Sequence, residues 1–135
     1  MRLMTHNVLQ CNKKGVQNGF PLIIKATSMK YEETPFDKSF VSAMIPKIEY
    51  HALLKAVSEV QQCPNIAGMD KLGSLPVLPL AMPANPDEDE DFLRRLHTVL
   101  FDLSMLEGEL VCPESGRVFP VNDGIPNMLL NDDEV

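Results

Sequence analysis

The chain has 135 residues, a length that suits one domain with one hydrophobic core. It carries 12 Lys or Arg against 19 Asp or Glu, a formal charge of −7, which argues against a protein that binds nucleic acid through clustered cations. No apolar run approaches the ~20 residues that span a bilayer, and the amino terminus lacks a signal-peptide core, so we expect a soluble intracellular protein without membrane contact.

The first thirty residues predict two β-strands. The segment 2–10 mixes apolar and polar side chains, and after a turn signal at 13–15 the segment 20–24 is rich in β-formers. We therefore expect both segments in one sheet.

Two helices are predicted next. Asp37 can cap the first, which Pro46 ends, although a Thr34 cap followed by Pro35 fits nearly as well. The second is predicted over 49–61. The apolar side chains that share one face are Phe40, Val41, Met44 and Ile45 in the first helix and Tyr50, Leu53, Leu54, Val57 and Val60 in the second.

The segment 62–84 contains four prolines and two glycines, which predicts a long connection without regular elements. Within it, 76–79 has the P-x-x-P spacing of a polyproline ligand. No Lys or Arg closely flanks that motif, so we interpret it as a linker.

A third helix is predicted to begin at the Asn85 cap and to end at 107–108, because Pro86 and the acidic residues after it suit a helix amino terminus. Its acids then meet cations at helical spacing, Glu90 with Arg94 and Asp91 with Arg95. The predicted buried face is Phe92, Leu96, Val99, Leu100 and Leu103.

The last part of the chain predicts a β-hairpin, in which segments 110–112 and 118–121 flank the turn 113–116. The order is then strands, helices, strands. It predicts an α+β fold in which both chain termini form one small antiparallel sheet and a helical lobe is inserted between them.

The three cysteines, Cys11, Cys63 and Cys112, are an odd number for a disulfide framework and are expected to be free thiols. Cys112 does not fit the phosphatase anion loop, because four residues and not five separate it from Arg117. A zinc knuckle would need Cys-x-x-Cys, but position 115 is serine. With its three histidines isolated from one another, the sequence predicts neither a catalytic site nor bound zinc.

Six blocks of the sequence together resemble one family. They are MRLMTHNVLQCN, GFPLII, SFVSAMIPKIEY, FLRRLHTVLFDL, EGELVCPESGRVFP and GIPNMLLNDDE. In combination they are similar to the small eukaryotic activator subunit of tRNA, rRNA and release-factor methyltransferases. The resemblance covers both ends and most of the helical middle, and leaves out chiefly the connection 62–84.

The resemblance implies a zinc-ribbon-like β lobe made of residues 1–33 plus 105–135, and an inserted helical lobe made of residues 34–104 that includes the Pro-rich connection 62–84. These boundaries place both termini in the same lobe.

Some members of that family hold zinc with a Cys-x4-Cys pair and a Cys-x2-Cys pair. Here Cys11 and Cys112 match the first cysteine of each pair, whereas Val16 and Ser115 stand at the second positions. Other members also lack the full set and still fold, so Cys11 and Cys112 are interpreted as the remainder of a metal site.

The resemblance implies a function without chemistry of its own. Members form heterodimers with catalytic subunits that bind S-adenosylmethionine, keep those subunits soluble and raise their activity. RNA is then reached only through the partner, in the cytoplasm and nucleus.

The implied partner contact is the hairpin with the tail that follows it. Strand pairing is expected around 118–121 and side-chain contact from the tail, since Pro126 lacks an N–H. The predicted partner-binding residues are Val118, Phe119, Val121, Ile125, Pro126, Met128 and Leu129.

Two alternatives stay open at this point. The tail could fill the protein's own core, as most apolar residues do. The chain could also be a stand-alone zinc-ribbon-like module that binds RNA or protein, although a charge of −7 without any Trp offers neither a cationic groove nor a stacking platform. An enzyme ranks behind both.

Overall fold

A five-stranded sheet runs through the computed structural model, which describes residues 1–135. The strands are β1 (Ile23–Tyr31), β2 (Ile66–Ala67), β3 (Leu103–Val111), β4 (Val118–Asn122) and β5 (Ile125–Pro126), in the order β2-β1-β3-β4-β5. All neighbours are antiparallel except β1 and β2. The α+β fold, with an antiparallel sheet drawn from both ends of the chain, is confirmed.

Five helices pack around this sheet. They are α1 (Leu3–His6), α2 (Lys38–Met44), α3 (Tyr50–Val60), α4 (Met69–Leu72) and α5 (Glu90–His97), and a π-helical turn (Thr98–Asp102) follows α5. The Asp37 cap of α2 is confirmed, because its carboxylate accepts a hydrogen bond from the Phe40 N–H at 3.2 Å. None of the helices is both long and apolar enough to cross a lipid bilayer.

The core is one cluster of 24 buried residues to which both helices and strands contribute. The predicted stripe of α3 is largely confirmed, with Leu54 half-buried at its margin. In α2 only Val41 is buried, and Phe40 lies half-exposed against Phe101. The boundaries of the two predicted lobes, 1–33 plus 105–135 and 34–104, stay a prediction.

The strand predicted over 2–10 is wrong. Leu3–His6 forms a single helical turn, and Arg2 contributes only an isolated bridge to Ser104. The turn places Leu3 and His6 on the same side, where both are buried, and the His6 imidazole Nε2 lies 2.7 Å from the Leu22 carbonyl oxygen.

The third helix is shorter than predicted. Its amino-terminal cap is Asp89, not Asn85, because the Asp89 carboxylate accepts from the Phe92 N–H at 3.0 Å. It ends at His97 and not at 107–108, because Leu103–Val111 is a strand that pairs with β1, with an irregularity in register at Leu106. The predicted ion pairs of Glu90 with Arg94 (3.7 Å) and Asp91 with Arg95 (3.0 Å), and the buried face, are confirmed.

The prediction of no regular element in 62–84 is also wrong. Ile66–Ala67 adds to the edge of β1 as a parallel strand, and Met69–Leu72 forms one helical turn. Farther along this connection, a hydrogen bond joins Pro79 to α3, since the Tyr50 hydroxyl donates to the Pro79 carbonyl oxygen at 2.6 Å. The prolines prevent long elements but leave room for short ones.

Candidate partner-binding surface

The predicted hairpin of β3 and β4 is confirmed and determines which side chains face outward. Val111 pairs with Val118 and Gly108 with Val121, and the turn between the strands ends at Gly116, whose φ of 75° suits glycine. Because side chains alternate along a strand, Phe119 enters the core while its neighbour Val118 stays exposed.

Two of the seven predicted contact residues therefore have buried side chains. Phe119 is 1% exposed and Val121 is completely buried, so neither side chain can contact a partner. The strand alternation of β4, combined with a core on only one face, accounts for the burial of these two side chains, and contact of segment 118–121 with a partner stays a prediction.

The outer edge of β4 is occupied as well. Val121 pairs with Pro126 of β5, and the Pro120 carbonyl accepts from the Asn127 N–H at 2.9 Å. The Val118 carbonyl accepts a hydrogen bond from the Arg117 guanidinium. Strand addition at the predicted segment 118–121 would have to displace these contacts.

Four of the five other predicted residues lie in one partly exposed apolar segment, residues 125–129, which we call the docking segment, and the fifth, Val118, is exposed on β4. Ile125 is 69% and Leu129 is 81% exposed, while Pro126 and Met128 are half-buried. The segment borders a shallow depression of about 660 Å³. The alternative in which the tail fills the protein's own core is thus excluded for Ile125 and Leu129, and an exposed apolar surface of this kind is typical of an interaction site.

An ion pair anchors the end of the docking segment to the hairpin. The Arg117 Nε and Nη2 atoms donate to the two carboxylate oxygens of Glu134 at 2.7 and 3.1 Å. Arg117 Nη2 also donates to the Leu129 carbonyl oxygen at 3.2 Å. The hydrogen bonds from Arg117 hold the pKa of Glu134 at about 2, so this carboxylate is charged at neutral pH.

Glu134 also reaches the amino-terminal loop. Its carboxylate lies 3.9 Å from the Lys13 Nζ, and its carbonyl oxygen accepts from the Lys14 N–H at 2.6 Å. The carboxylate further accepts from the Asn131 N–H at 2.9 Å, which closes the turn at 132–134. The end of the chain is thus tied to two distant segments.

The two cysteines predicted as remnants of a metal site lie side by side. Cys11 and Cys112 are buried, and Cys63 is elsewhere and half-buried. Burial raises the pKa of the Cys11 thiol. Burial also tends to raise the pKa of the Cys112 thiol. Hydrogen bonds from Ser115 have the larger combined effect and lower the pKa of Cys112, and one of them comes from the Ser115 N–H, 3.3 Å from Cys112 Sγ.

These residues do not fit the zinc that some family members hold. A structural zinc needs four nitrogen or sulfur ligands, whereas two thiols meet here and nowhere do three or more His, Cys, Asp or Glu side chains converge. Gly19 packs so closely over Cys11 that a Cβ at that position would collide with the Cys11 carbonyl oxygen.

The Glu114 carboxylate joins the hairpin turn to the amino-terminal loop that follows Cys11. Glu114, in the hairpin turn, accepts from the Gln17 N–H at 3.0 Å and from the Asn18 N–H at 3.2 Å. Sequence reasoning missed this role and those of Arg117 and Glu134, because each partner is distant along the chain. No local pattern could have revealed them.

Half-buried Thr34 and buried His97 and Asp102 have the composition of a catalytic triad but not its geometry. His97 Nε2 lies 3.0 Å from Thr34 Oγ1 and 3.3 Å from Asp102 Oδ1, while Nδ1 has no partner. A relay needs one imidazole nitrogen for each neighbour, so this arrangement cannot activate the hydroxyl. Asp102 instead accepts from the Thr34 N–H and hydroxyl, which fixes the chain after β1.

Comparison with known proteins places this chain in a family. The family model described as Trm112p-like protein matches residues 2–124. The multifunctional methyltransferase subunit TRM112 homolog A of Arabidopsis thaliana is 47% identical over 100% of both chains. The TRM112-like protein of Mus musculus is 42% identical over 99% of this chain and 98% of its own.

A solved structure has the same fold. It is the E. cuniculi Mtq2-Trm112 complex, described as responsible for the methylation of the eRF1 translation termination factor, and it matches with a TM-score of 0.52 at 15% identity. The match covers 96% of this chain and 95% of that one, and it supports the fold alone. With a family model spanning nearly the whole sequence and relatives matched along their full length, the chain belongs to the Trm112p-like family.

Proposed function

We propose that this chain is a non-catalytic subunit that activates and stabilises S-adenosylmethionine-dependent methyltransferases by forming heterodimers with them. The observation that carries the proposal is the exposed docking segment, because the apolar side chains of Ile125 and Leu129 are largely exposed although the backbone of both residues is held by hydrogen bonds within the chain. The full-length relatives named multifunctional methyltransferase subunits support the same role.

The substrates of such heterodimers are tRNA, rRNA and translation release factor, and the subunit acts in the cytoplasm and nucleus. This chain reaches RNA through its partner only, since its charge of −7 repels a phosphate backbone. The cofactor belongs to the partner, because this chain has no Gly-rich loop followed by an acidic residue that could hold S-adenosylmethionine.

The direct test is reconstitution with an Mtq2-type catalytic subunit from the same organism. Methyl transfer to the release factor is measured for each subunit alone and for the two together. We expect no transfer by this chain alone and a clear rise in the activity and soluble yield of the catalytic subunit when both are present. A partner at about 100 times Kd stabilises a protein by roughly 2.7 kcal/mol, which a thermal melt of the catalytic subunit would reveal.

Two results would contradict the proposal. One is methyl transfer by a preparation of this chain that is free of catalytic subunits. The other is direct, salt-sensitive binding of RNA by the free chain together with no complex formation, which would favour the stand-alone module.

We further propose that the chain works without a bound metal. The purified protein should contain substoichiometric zinc, and its unfolding temperature should not change in a chelator, because two thiols cannot complete a tetrahedral site. Elemental analysis and a thermal melt with and without chelator measure both quantities. One tightly held equivalent of zinc would refute this prediction.

A further inference from the structure

We propose that Arg117 and Glu134 are positioning residues for partner binding: their ion pair fixes the docking segment, residues 125–129, in the conformation that the partner recognises. This inference rests on the proposed function. It adds two residues that lie outside the docking segment and that need not touch the partner.

The contacts of Arg117 distinguish it from an ordinary surface arginine. All three of its guanidinium nitrogens are engaged, with both oxygens of Glu134 and with the carbonyls of Val118 and Leu129. The guanidinium carbon also lies 4.8 Å from the centre of the Phe119 ring, whose position in the core is fixed. Arg117 therefore connects the rigid hairpin to the tail.

Glu134 supplies the other half of the connection. It is buried although it is a carboxylate, and it is held by charge-assisted hydrogen bonds that are shorter and stronger than neutral ones. Between β5 and Glu134 the backbone of the tail makes few other hydrogen bonds, chiefly from the Asn127 N–H to the Pro120 carbonyl oxygen and from the Leu129 N–H to the Asn127 side chain. The side chains of Met128 and Leu130 pack partly against the core. Without the pair, Leu129 loses the guanidinium that holds its carbonyl oxygen, and Glu134 keeps only its backbone hydrogen bonds to Lys14 and Asn131.

An anchored docking segment matters because binding must otherwise immobilise it. Each flexible side chain or loop that becomes ordered in a complex reduces the affinity, and a segment that is already ordered avoids that cost. Leu129 gains most from this prior ordering, since its side chain is exposed while its carbonyl oxygen accepts a hydrogen bond from Arg117. The pair thus presents an apolar side chain in a fixed position.

The test compares Glu134→Gln and Glu134→Ala with the wild-type chain. Hydrogen exchange of the amides in 127–131 is measured on the free proteins, and Kd is measured against an Mtq2-type catalytic subunit. Glu90→Gln is the matched control, because it removes a carboxylate from an exposed ion pair with Arg94 on α5. Arg117→Lys keeps the positive charge but lacks the planar guanidinium that donates to both carboxylate oxygens. Its exchange rates and Kd should therefore lie between those of the wild-type chain and those of Glu134→Ala.

We expect both Glu134 variants to exchange faster in 127–131 while the sheet amides stay protected, and to bind roughly tenfold more weakly. Glu90→Gln should match wild type in both measurements. The inference is overturned if exchange is unchanged, or if exchange rises while the affinity does not fall. A lower affinity with unchanged exchange also overturns it, because the pair would then act by direct contact. If the wild-type chain itself forms no complex, the proposed function fails, and this result is recognised before any variant is compared.

Discussion

Replacing Ile125 and Leu129 together with aspartate should abolish heterodimer formation and leave the free chain folded. Both side chains are largely exposed in the free chain, so the new carboxylates would be solvated there. In a complex the same carboxylates would be buried at an apolar contact without a partner, which is costly for each charge. We expect the affinity for an Mtq2-type catalytic subunit to fall by at least about a hundredfold, as for a loss of two central contact residues.

The measurements are a co-expression pull-down, a Kd, and a thermal melt of the free variant. Met128 is left unchanged because it is half-buried against the core, and a charge there would confuse unfolding with loss of binding. The matched control is Val77→Asp with Leu80→Asp, which places the same charges on the anchored connection, where the side chains are 72% and 88% exposed. The control should bind normally.

Two outcomes would contradict this prediction. If the Ile125 and Leu129 variant binds like wild type, the docking segment is not the interface. If it melts far below wild type while the control does not, these side chains stabilise the fold of the free chain, contrary to their exposure.

The fold was predictable where a local pattern sufficed. The apolar residues of α3 recur with the period of a helix, and the turn residues between β3 and β4 have the spacing of a hairpin. The carboxyl-terminal end of α5 lacked such a signal, since the apolar residues of 92–103 continue through Met105 and Leu106 and the first clear break comes only at 107–109. Pairing with β1, which is more than seventy residues earlier in the sequence, decides that Leu103–Val111 is a strand.

Very short elements were missed for a related reason. A single helical turn such as Leu3–His6 has too few residues to show a period, and its polar residue His6 was not recognisable as buried. Its environment is built by Leu22 and the sheet, which the local sequence does not describe.

The burial of the individual side chains on β4 was not predictable from the sequence. The hairpin pattern implies that every second side chain of β4 is buried, but it does not indicate which set of side chains faces the core. The predicted list therefore included Phe119 and Val121 from the inner face together with Val118 from the outer face. The choice depends on which face of the sheet the helices cover. Glu114, Arg117 and Glu134 were missed because their partners meet only in the folded chain.

Replacing Phe119 with alanine should lower the free energy of unfolding by roughly 3–5 kcal/mol, because this fully buried ring leaves a cavity that its neighbours fill only in part. For a chain of this size the melting temperature should fall by about 10–15 °C. Denaturant titration should show a lower midpoint with an unchanged slope, as for a loss of stability without a change in the surface exposed.

Val118→Ala is the matched control, since Val118 is the adjacent residue of β4 and its side chain points outward. This substitution should lower the free energy of unfolding by less than about 1 kcal/mol, as surface substitutions usually do. Because the Phe119 ring faces inward, the alanine variant should still bind an Mtq2-type catalytic subunit at a temperature well below its own midpoint. A variant as stable as wild type that no longer binds would instead show that Phe119 contacts the partner, and that β4 turns its inner face outward when the heterodimer forms.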